Sequence, residues 1–481
     1  MAPTESGLAT RRGDSGVALV LALLALFVFS TLAAGLLFVT QTEIWTSYNY
    51  RLLEQARYVA EAGQQSAIDW LVNSYVPPTN LVIFDTSKSP VEYSNHPVVL
   101  TTMAGETSNY PDSAVQSAFA SAFSHPTLSA QGVEGSYTVS ATLLRIKAIT
   151  QAFSGGSNQA ALATWQITSR ATVNGIPNSI VQLVATIDRQ ATSIFNFAIF
   201  TTGDTCANLS LSGGAKTDSF DSRQGPYSAS QQASGGNVGT NGNVTISGSS
   251  SSIYGSISVI NPTLGSCPAG VTVSGHPTYG TISPLGQAVV YPAPPAPDPA
   301  SPTSNQGISG SCGGIPGCSD LGKKSVALAP GAYGNLNVSG GTHVHLSAGT
   351  YTINSISLSG NSPLVLDSTP VILNMAGAST NRVVDLSGGS VTNPSGVPSD
   401  FQIVYGGTGN LTLSGGSDSY GVVYAPSAPI TMSGNSDWYG AIIGKSFTDS
   451  GGSAVHFDRS LLSQYQQLGP YRLLSFTQSK F

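Results

Sequence analysis

The hydrophobic pattern changes period twice along the chain. Val17 to Val39 (VALVLALLALFVFSTLAAGLLFV) carries no charge over 23 residues; at about 1.5 Å per residue it spans roughly 35 Å, enough to cross a bilayer. Beyond it the apolar positions thin out without stopping. Ile44, Tyr48, Leu52, Ala56, Val59, Gly63, Ala67 and Leu71 recur at spacings of three and four, the period of an amphipathic helix. Pro77 and Pro78 end the pattern. The spacing predicts one stalk helix over 17–75, apolar all round in its first half and one-sided in its second.

Residues 76–133 show weak periodicity, with a short helix expected around Ser113 to Phe123. Tyr137 to Ile149, Ala163 to Val173 and Ser179 to Ile187 are rich in Thr, Val and Ile, and Asn174-Gly175 and Pro177-Asn178 punctuate the last two. This reads as an antiparallel hairpin, in a small α+β domain over 76–194 that packs on the stalk.

From Phe195 onward a short alternating run ending in Ser-Gly recurs: LSLSGG (209–214), VTISGS (244–249), LNVSGG (336–341), ISLSGN (356–361), VDLSGG (384–389), LTLSGG (411–416) and ITMSGN (430–435). Measured at the Ser, the steps are 35, 92, 20, 28, 27 and 19 residues. Steps of about 20 to 28 suit one coil of a parallel β-solenoid, in which each coil buries its apolar face on the next. The expected fold class is therefore α+β: a long N-terminal helix, a small antiparallel domain, and a mainly β region over 195–481. A parallel β-solenoid is favoured there and a β-sandwich is the alternative. The long step holds 12 of the 28 prolines, between 262 and 330, and is read as a Pro/Cys-rich insertion lying off the coils.

Charge sharpens this picture. Only 18 Lys/Arg and 24 Asp/Glu occur in 481 residues, about a third of the usual share. All seven Glu lie at or before Glu134. A helical domain after 195 would lack the long charged side chains its solvent face needs, whereas a Ser/Thr/Asn-coated β surface would not. The net charge of −6 offers no basic footprint for nucleic acid. Arg11 and Arg12 precede the apolar run and no Lys or Arg follows until Arg51, which places the N-terminus in the cytosol and the rest outside. Cys206, Cys267, Cys312 and Cys318 then lie in a disulfide-permissive compartment; four cysteines allow three pairings, Cys312 with Cys318 being the most local, and free buried thiols are the other reading.

Candidate chemistry is thin. Glycan-cleaving solenoids need clustered carboxylates or Asp-bound Ca²⁺, and the acids on offer are Asp218 with Asp221, and Asp449 with Asp458 near Lys445 and Arg459, which read as solvated turn residues. His343 with His345, and His456 with Asp458, stand two apart on strand faces without a visible third ligand, so no metal or other cofactor is expected. Gly13-Asp14-Ser15-Gly16 looks like a protease nucleophile loop, but it sits in a basic leader with no protease domain around it. The sequons at Asn208, Asn243, Asn337 and Asn410 fall in or beside the repeats, where side-chain ladders are expected. Tyr420, Trp438 and Tyr439 are candidate sugar-contact aromatics.

The segment Gly16-Val-Ala-Leu-Val-Leu-Ala-Leu, behind a basic leader and ahead of Gln55-Ala-Arg-Tyr-Val-Ala-Glu-Ala-Gly63, resembles the N-terminal region of PilX-type minor pilins of type IV pilus systems. The resemblance covers about 60 residues. It implies that a prepilin peptidase removes leader 1–16 between Gly16 and Val17, with Gly13 as a rival site that would leave Asp14 at the new terminus. It implies a single-pass inner-membrane protein, cytoplasmic at its N-terminus, that later enters a pilus with other pilin subunits. Major pilins carry a Glu at the fifth mature position; here it is Leu21, which removes a docking carboxylate costly in hydrocarbon and points to an accessory, priming or tip subunit. The region from Phe195 more weakly resembles the β-rich domains behind PilX-like N-termini. The expected function is structural and non-enzymatic. The other classes are a membrane-anchored polysaccharide-active β-helix enzyme and a non-catalytic adhesin for surface carbohydrate.

Overall fold

A computed structural model describes residues 15–480 except 79, 125–126, 131–132, 154–158, 174–179, 299 and 414–417. Residues 1–14 of the leader, the turn expected at 174–178 and Ser414-Gly415-Gly416 of one repeat lie outside the described residues. The chain forms two compact units. One comprises Met1–Lys147, Leu162–Gln190 and Pro470–Phe481; the other comprises Ala148–Ala161 and Ala191–Gly469.

In the first unit, helix α1 covers Ser15–Asn73, about 90 Å at 1.5 Å per residue. Its second half lays Leu52, Ala56, Val59 and Ala60 on Ala171, Val173, Val181 and Leu183 of an antiparallel sheet. That sheet runs in the order Val99–Thr101, Val133–Thr150, Gln159–Val173, Ile180–Ser193, Gln466–Lys480. The hairpin pairs Thr172 with Ile180 through Thr164 with Asp188. The last strand comes from the C-terminal end of the chain, a segment expected to belong to the repeat region. A Cβ on Gly63 would lie 2.5 Å from the Tyr137 ring and 2.7 Å from Ser169 Oγ, so this glycine sets how closely helix and sheet approach. A short helix, Ser113–Ala122, is capped by Asp112 and packs Phe119 edge-on to Trp70 at 5.1 Å.

The second unit is a closed parallel β-solenoid with three strands per coil, as in Ile199–Thr201, Leu209–Leu211 and Lys216–Phe220; it is not a sandwich. Equivalent residues stack in register, Val244 on Leu209 and on Val271, Leu336 on Ile356, so one apolar parity of every coil faces a continuous core. The Ser-Gly signature has a conformational cause. Gly213, Gly248, Gly275, Gly310, Gly340, Gly360 and Gly434 all hold positive φ at the corner after the second strand, a region a side chain disfavours. Small hydroxyls just beyond the corner are buried and tie coils together. Thr342 Oγ1 donates to Ser339 O at 2.6 Å and accepts from Gly310 N at 2.7 Å, and Ser362 Oγ donates to Ser359 O at 2.7 Å and accepts from Thr342 N at 3.2 Å.

The 92-residue step divides into coils. Val271-Thr-Val-Ser-Gly275 stacks under the repeat at 244, and Ile308-Ser-Gly310 stacks on the repeat at 336. Segment 262–330 is thus partly solenoid, contrary to its expected place off the coils. The copy at 271 spells the alternating Ser-Gly motif in full, while the copy at 308 is shortened to Ile-Ser-Gly.

Coil order in space is not coil order in sequence. The last coil, Trp438–Asp449 with Ala454–Asp458, pairs along its length with the first: Ile442 with Ile199, Phe447 with Leu209, His456 with Asp218. Residues 199–284 therefore stack away from this joint in one direction, while residues 305–458 begin at the opposite end and stack back toward it. The Pro-rich segment 285–304 joins the two runs as a strap. Asn241 makes a paired hydrogen bond with Val289, Tyr424 OH donates to Pro292 O at 2.7 Å, and Asn335 Nδ2 donates to Thr303 O at 3.0 Å. Seven strand steps separate the coils of Asn241 and Asn335, roughly 34 Å at 4.8 Å each, and the fourteen residues from Val289 to Thr303 cover about 43 Å as polyproline. The proline content of the strap suits this span, because the segment must be extended and must not compete for strand pairing.

Candidate functional site

Two features go beyond what the fold itself requires: the free half of α1, and a polar-aromatic cluster at the joint of the solenoid.

From Val17 to Arg51 every residue of the helix is exposed, Leu21 being 62% exposed and Leu24 59%. Its hydroxyls at 30, 31, 40, 42 and 46 are satisfied within the helix. Ser30, Thr40, Thr42 and Thr46 hydroxyls donate to carbonyls four residues back at 2.7 to 2.9 Å. Such back-bonding lets hydroxyls enter an apolar medium. A Cβ added at Gly35 would meet nothing within 4 Å, and with Ala33 and Ala34 this glycine leaves a small-residue surface for a close neighbour. Trp45, Tyr48 and Tyr50 are exposed just past the apolar run, where aromatics mark a membrane–water boundary. Gly16 and Val17 lie in the first turn of α1.

The four cysteines form two disulfides. Cys206–Cys267 joins loops of the first and third coils, and Cys312–Cys318 closes a local loop. Beside the second, Cys318–Gly322 turns back antiparallel on Ser325–Leu328, covering the sheet edge where the second run begins.

At the joint, Tyr420, Tyr439, His456 and Asp218 form one outward line across four stacked strands. Tyr439 stacks on Tyr420 at 4.3 Å and on His456 at 4.6 Å. The loop after Phe220 folds over this line and buries it: Tyr227 sits 4.0 Å from the His456 ring, and both Tyr227 OH and Gln232 Nε2 donate to Asp218 Oδ2 at 2.9 and 2.6 Å. His456 Nδ1 meets Asp218 Oδ1 at 2.5 Å and Nε2 meets Asp437 Oδ2 at 3.3 Å. Burial alone would lower the pKa of His456, but the two carboxylate bonds outweigh it and the net shift is upward. The two acids therefore favour the protonated form of a ring that lies between two tyrosines.

The structure withdraws two of the three candidate sugar-contact aromatics. Trp438 is in the core, its Nε1 donating to Gly421 O at 2.9 Å, and Tyr439 is under the loop; only Tyr420 keeps part of its surface open. Adjacent residues on a strand face opposite ways, and no local pattern marks the segment after Phe220 as a cover. The other candidates are taken up locally. Asp221 pairs with Arg223, Asp449 accepts from Gly451 N and Ser453 Oγ, and Asp458 accepts from Ser222 N and Ser460. His345 pairs with Asp367 at 2.8 Å. Asn208 and Asn243 are buried corner residues bonded to neighbouring carbonyls. Among the described residues no group of three His, Cys, Asp or Glu is placed to hold a metal.

Residues 309–464, the second solenoid run with its joint, match a family described as a domain of unknown function, DUF7305. No curated protein matches the chain. Among solved structures, the competence-associated pilin ComZ from Thermus thermophilus is similar at 12% identity, over 89% of this chain and 98% of that one, with a TM-score of 0.31. At that score the likeness bears on neither fold nor function.

Proposed function

We propose that this chain is a minor-pilin-like structural subunit of a type IV pilus or related pseudopilus. In this reading a prepilin peptidase cuts between Gly16 and Val17, the segment Val17–Val39 holds the protein in the inner membrane with its N-terminus cytoplasmic, and assembly exchanges lipid for the helices of other pilin subunits. The solenoid is then displayed outside the membrane for assembly priming or adhesion.

One observation carries the reading: a single uninterrupted helix of 59 residues whose first half is apolar on every side and exposed, and whose second half is built into a folded unit. An anchor alone needs no such rigid continuation; a stalk that must transmit its position in a filament to the domain it carries does. Leu21, where a docking carboxylate would stand in a major pilin, favours an accessory position. The engagement of Asp218, Asp221, Asp449 and Asp458 in internal hydrogen bonds favours display over hydrolysis.

Mass spectrometry of the mature N-terminus and incorporation of Leu24→Asp test the proposal together. A mature chain starting at Val17, with Leu24→Asp processed but absent from filaments, is the expected result. A chain retaining Met1, or filaments containing Leu24→Asp at wild-type level, refutes it.

A further inference from the structure

The outward face of the solenoid is sealed by the strap over some coils and left open over others. On three successive coils Thr350, Ile372 and Gln402 stand in one register line, with Asn374 and Val404 in the next. They floor a cavity of about 440 Å³, within the roughly 300–1,000 Å³ usual for small-ligand sites. Pro294 and Pro295 of the strap and the stacked pair Phe153 and Tyr465, 5.3 Å apart, wall it. Phe153 holds φ at +64°, a conformation that a bulky residue keeps only where its surroundings impose it, and such positions concentrate at functional sites. Every wall and floor residue belongs to the solenoid unit.

The lining has a definite chemistry. No described lining residue is charged. The hydroxyl of Thr350 and the amide of Asn374 make no side-chain hydrogen bond with any described residue, and Gln402 spends only its Nε2, on Ser399 O at 3.1 Å, leaving Oε1 free. These polar groups alternate with Ile372 and Val404 and recur at the strand spacing of about 4.8 Å, so the floor offers hydrogen bonds and apolar contact repeating along the solenoid axis over about 10 Å. A charged polymer would lose hydration here without gaining a counter-charge. A purely apolar ligand would leave the free amide and hydroxyl unpaired. An uncharged chain that carries hydroxyls on its edges and C–H surfaces on its faces satisfies both conditions, with its C–H face against the aromatic wall.

We infer that this cleft is a binding site for a neutral oligosaccharide of about two ring units, oriented along the solenoid axis. The inference does not depend on how α1 is used, and it places the carbohydrate-contact surface away from Trp438 and Tyr439.

The test uses the full chain in a sugar-free zwitterionic detergent. Cellohexaose, maltohexaose and chitohexaose serve as neutral probes and hexagalacturonate as the charged comparator, followed by calorimetry and saturation-transfer NMR. At least one neutral hexasaccharide should bind, and hexagalacturonate should not. The double variant Asn374→Ala, Gln402→Ala should weaken binding about tenfold, the loss expected for two neutral hydrogen bonds. Thr350→Trp, which fills the floor without deleting a core residue, should abolish it, and Tyr254→Ala on a distant coil should change nothing. Binding by no neutral probe, equal binding by hexagalacturonate, or neutral binding untouched by both cleft variants overturns the inference. So does a cleft that takes an uncharged peptide in preference to every sugar.

Discussion

The joint between the first and last coils makes a quantitative test of what holds the solenoid together. Replacing His456 with Leu removes the ring that Asp218 and Asp437 share and leaves Asp218 buried. Breaking one side of a buried ion pair typically costs about 3–5 kcal/mol. Asp218 keeps two neutral donors, Tyr227 OH and Gln232 Nε2, so the lower end, about 3 kcal/mol, is expected. At roughly 2–4 °C per kcal/mol for a unit of this size, the midpoint should fall by about 6–12 °C. The pH dependence carries a sign. The folded pKa of His456 lies above its ordinary value, so its contribution is complete below about pH 6.5 and is lost as pH rises through the folded value. Thermal unfolding of the full chain followed by circular dichroism, for wild type and His456→Leu from pH 5 to pH 9, should show a gap that is widest at acid pH and narrows toward alkaline pH. Adding Asp218→Asn to His456→Leu should recover part of the loss, because the uncompensated charge is then gone. A gap below about 1 kcal/mol at pH 5, or one that widens with pH, would refute the pairing argument.

Other consequences follow from single positions. Asp449 is raised from 3.8 to about 6, chiefly by burial, so its penalty on folding builds as pH rises between those two values and is complete above the second; Asp449→Asn keeps the Oδ1 acceptor for Gly451 N and Ser453 Oγ and should raise stability by about 1–3 kcal/mol at pH 8 with no gain at pH 4, read by urea titration. Gly63→Leu collides with Tyr137 and Ser169 and should cost about 1–3 kcal/mol, whereas Gly35→Leu, with open space around it, should leave the melting curve unchanged and impair only filament incorporation. Opening Cys206–Cys267, which closes 61 residues, should cost about 4 kcal/mol by loop entropy against about 2 kcal/mol for Cys312–Cys318 over 6 residues, measured with Cys→Ser pairs.

The chain's own letters determined what depends on near neighbours. The apolar run and its i, i+3, i+4 continuation specify α1 because helical contacts are local, and the Ser-Gly corners specify coils because only glycine turns cheaply through positive φ. The shortened copy at 308 is not legible in this way, since its neighbours in sequence are loops and its equivalence is visible only as register, whereas the copy at 271 spells the motif in full. Which coil stacks on which was not legible at all. Parallel pairing of similar coils is nearly indifferent to sequence order, so the choice falls to features that act across the fold: the strap from Val289 to Thr303, the Cys206–Cys267 link, and the fit of the last coil on the first. That closure brings His456 to Asp218 across 238 residues, buries Tyr439 under a loop, and leaves Asn374 and Gln402 facing an open cleft. Local periodicity fixes what each segment is; only the packing of coils fixes which side chains meet, because a contact between distant residues has no energy until the chain has been folded back to make it.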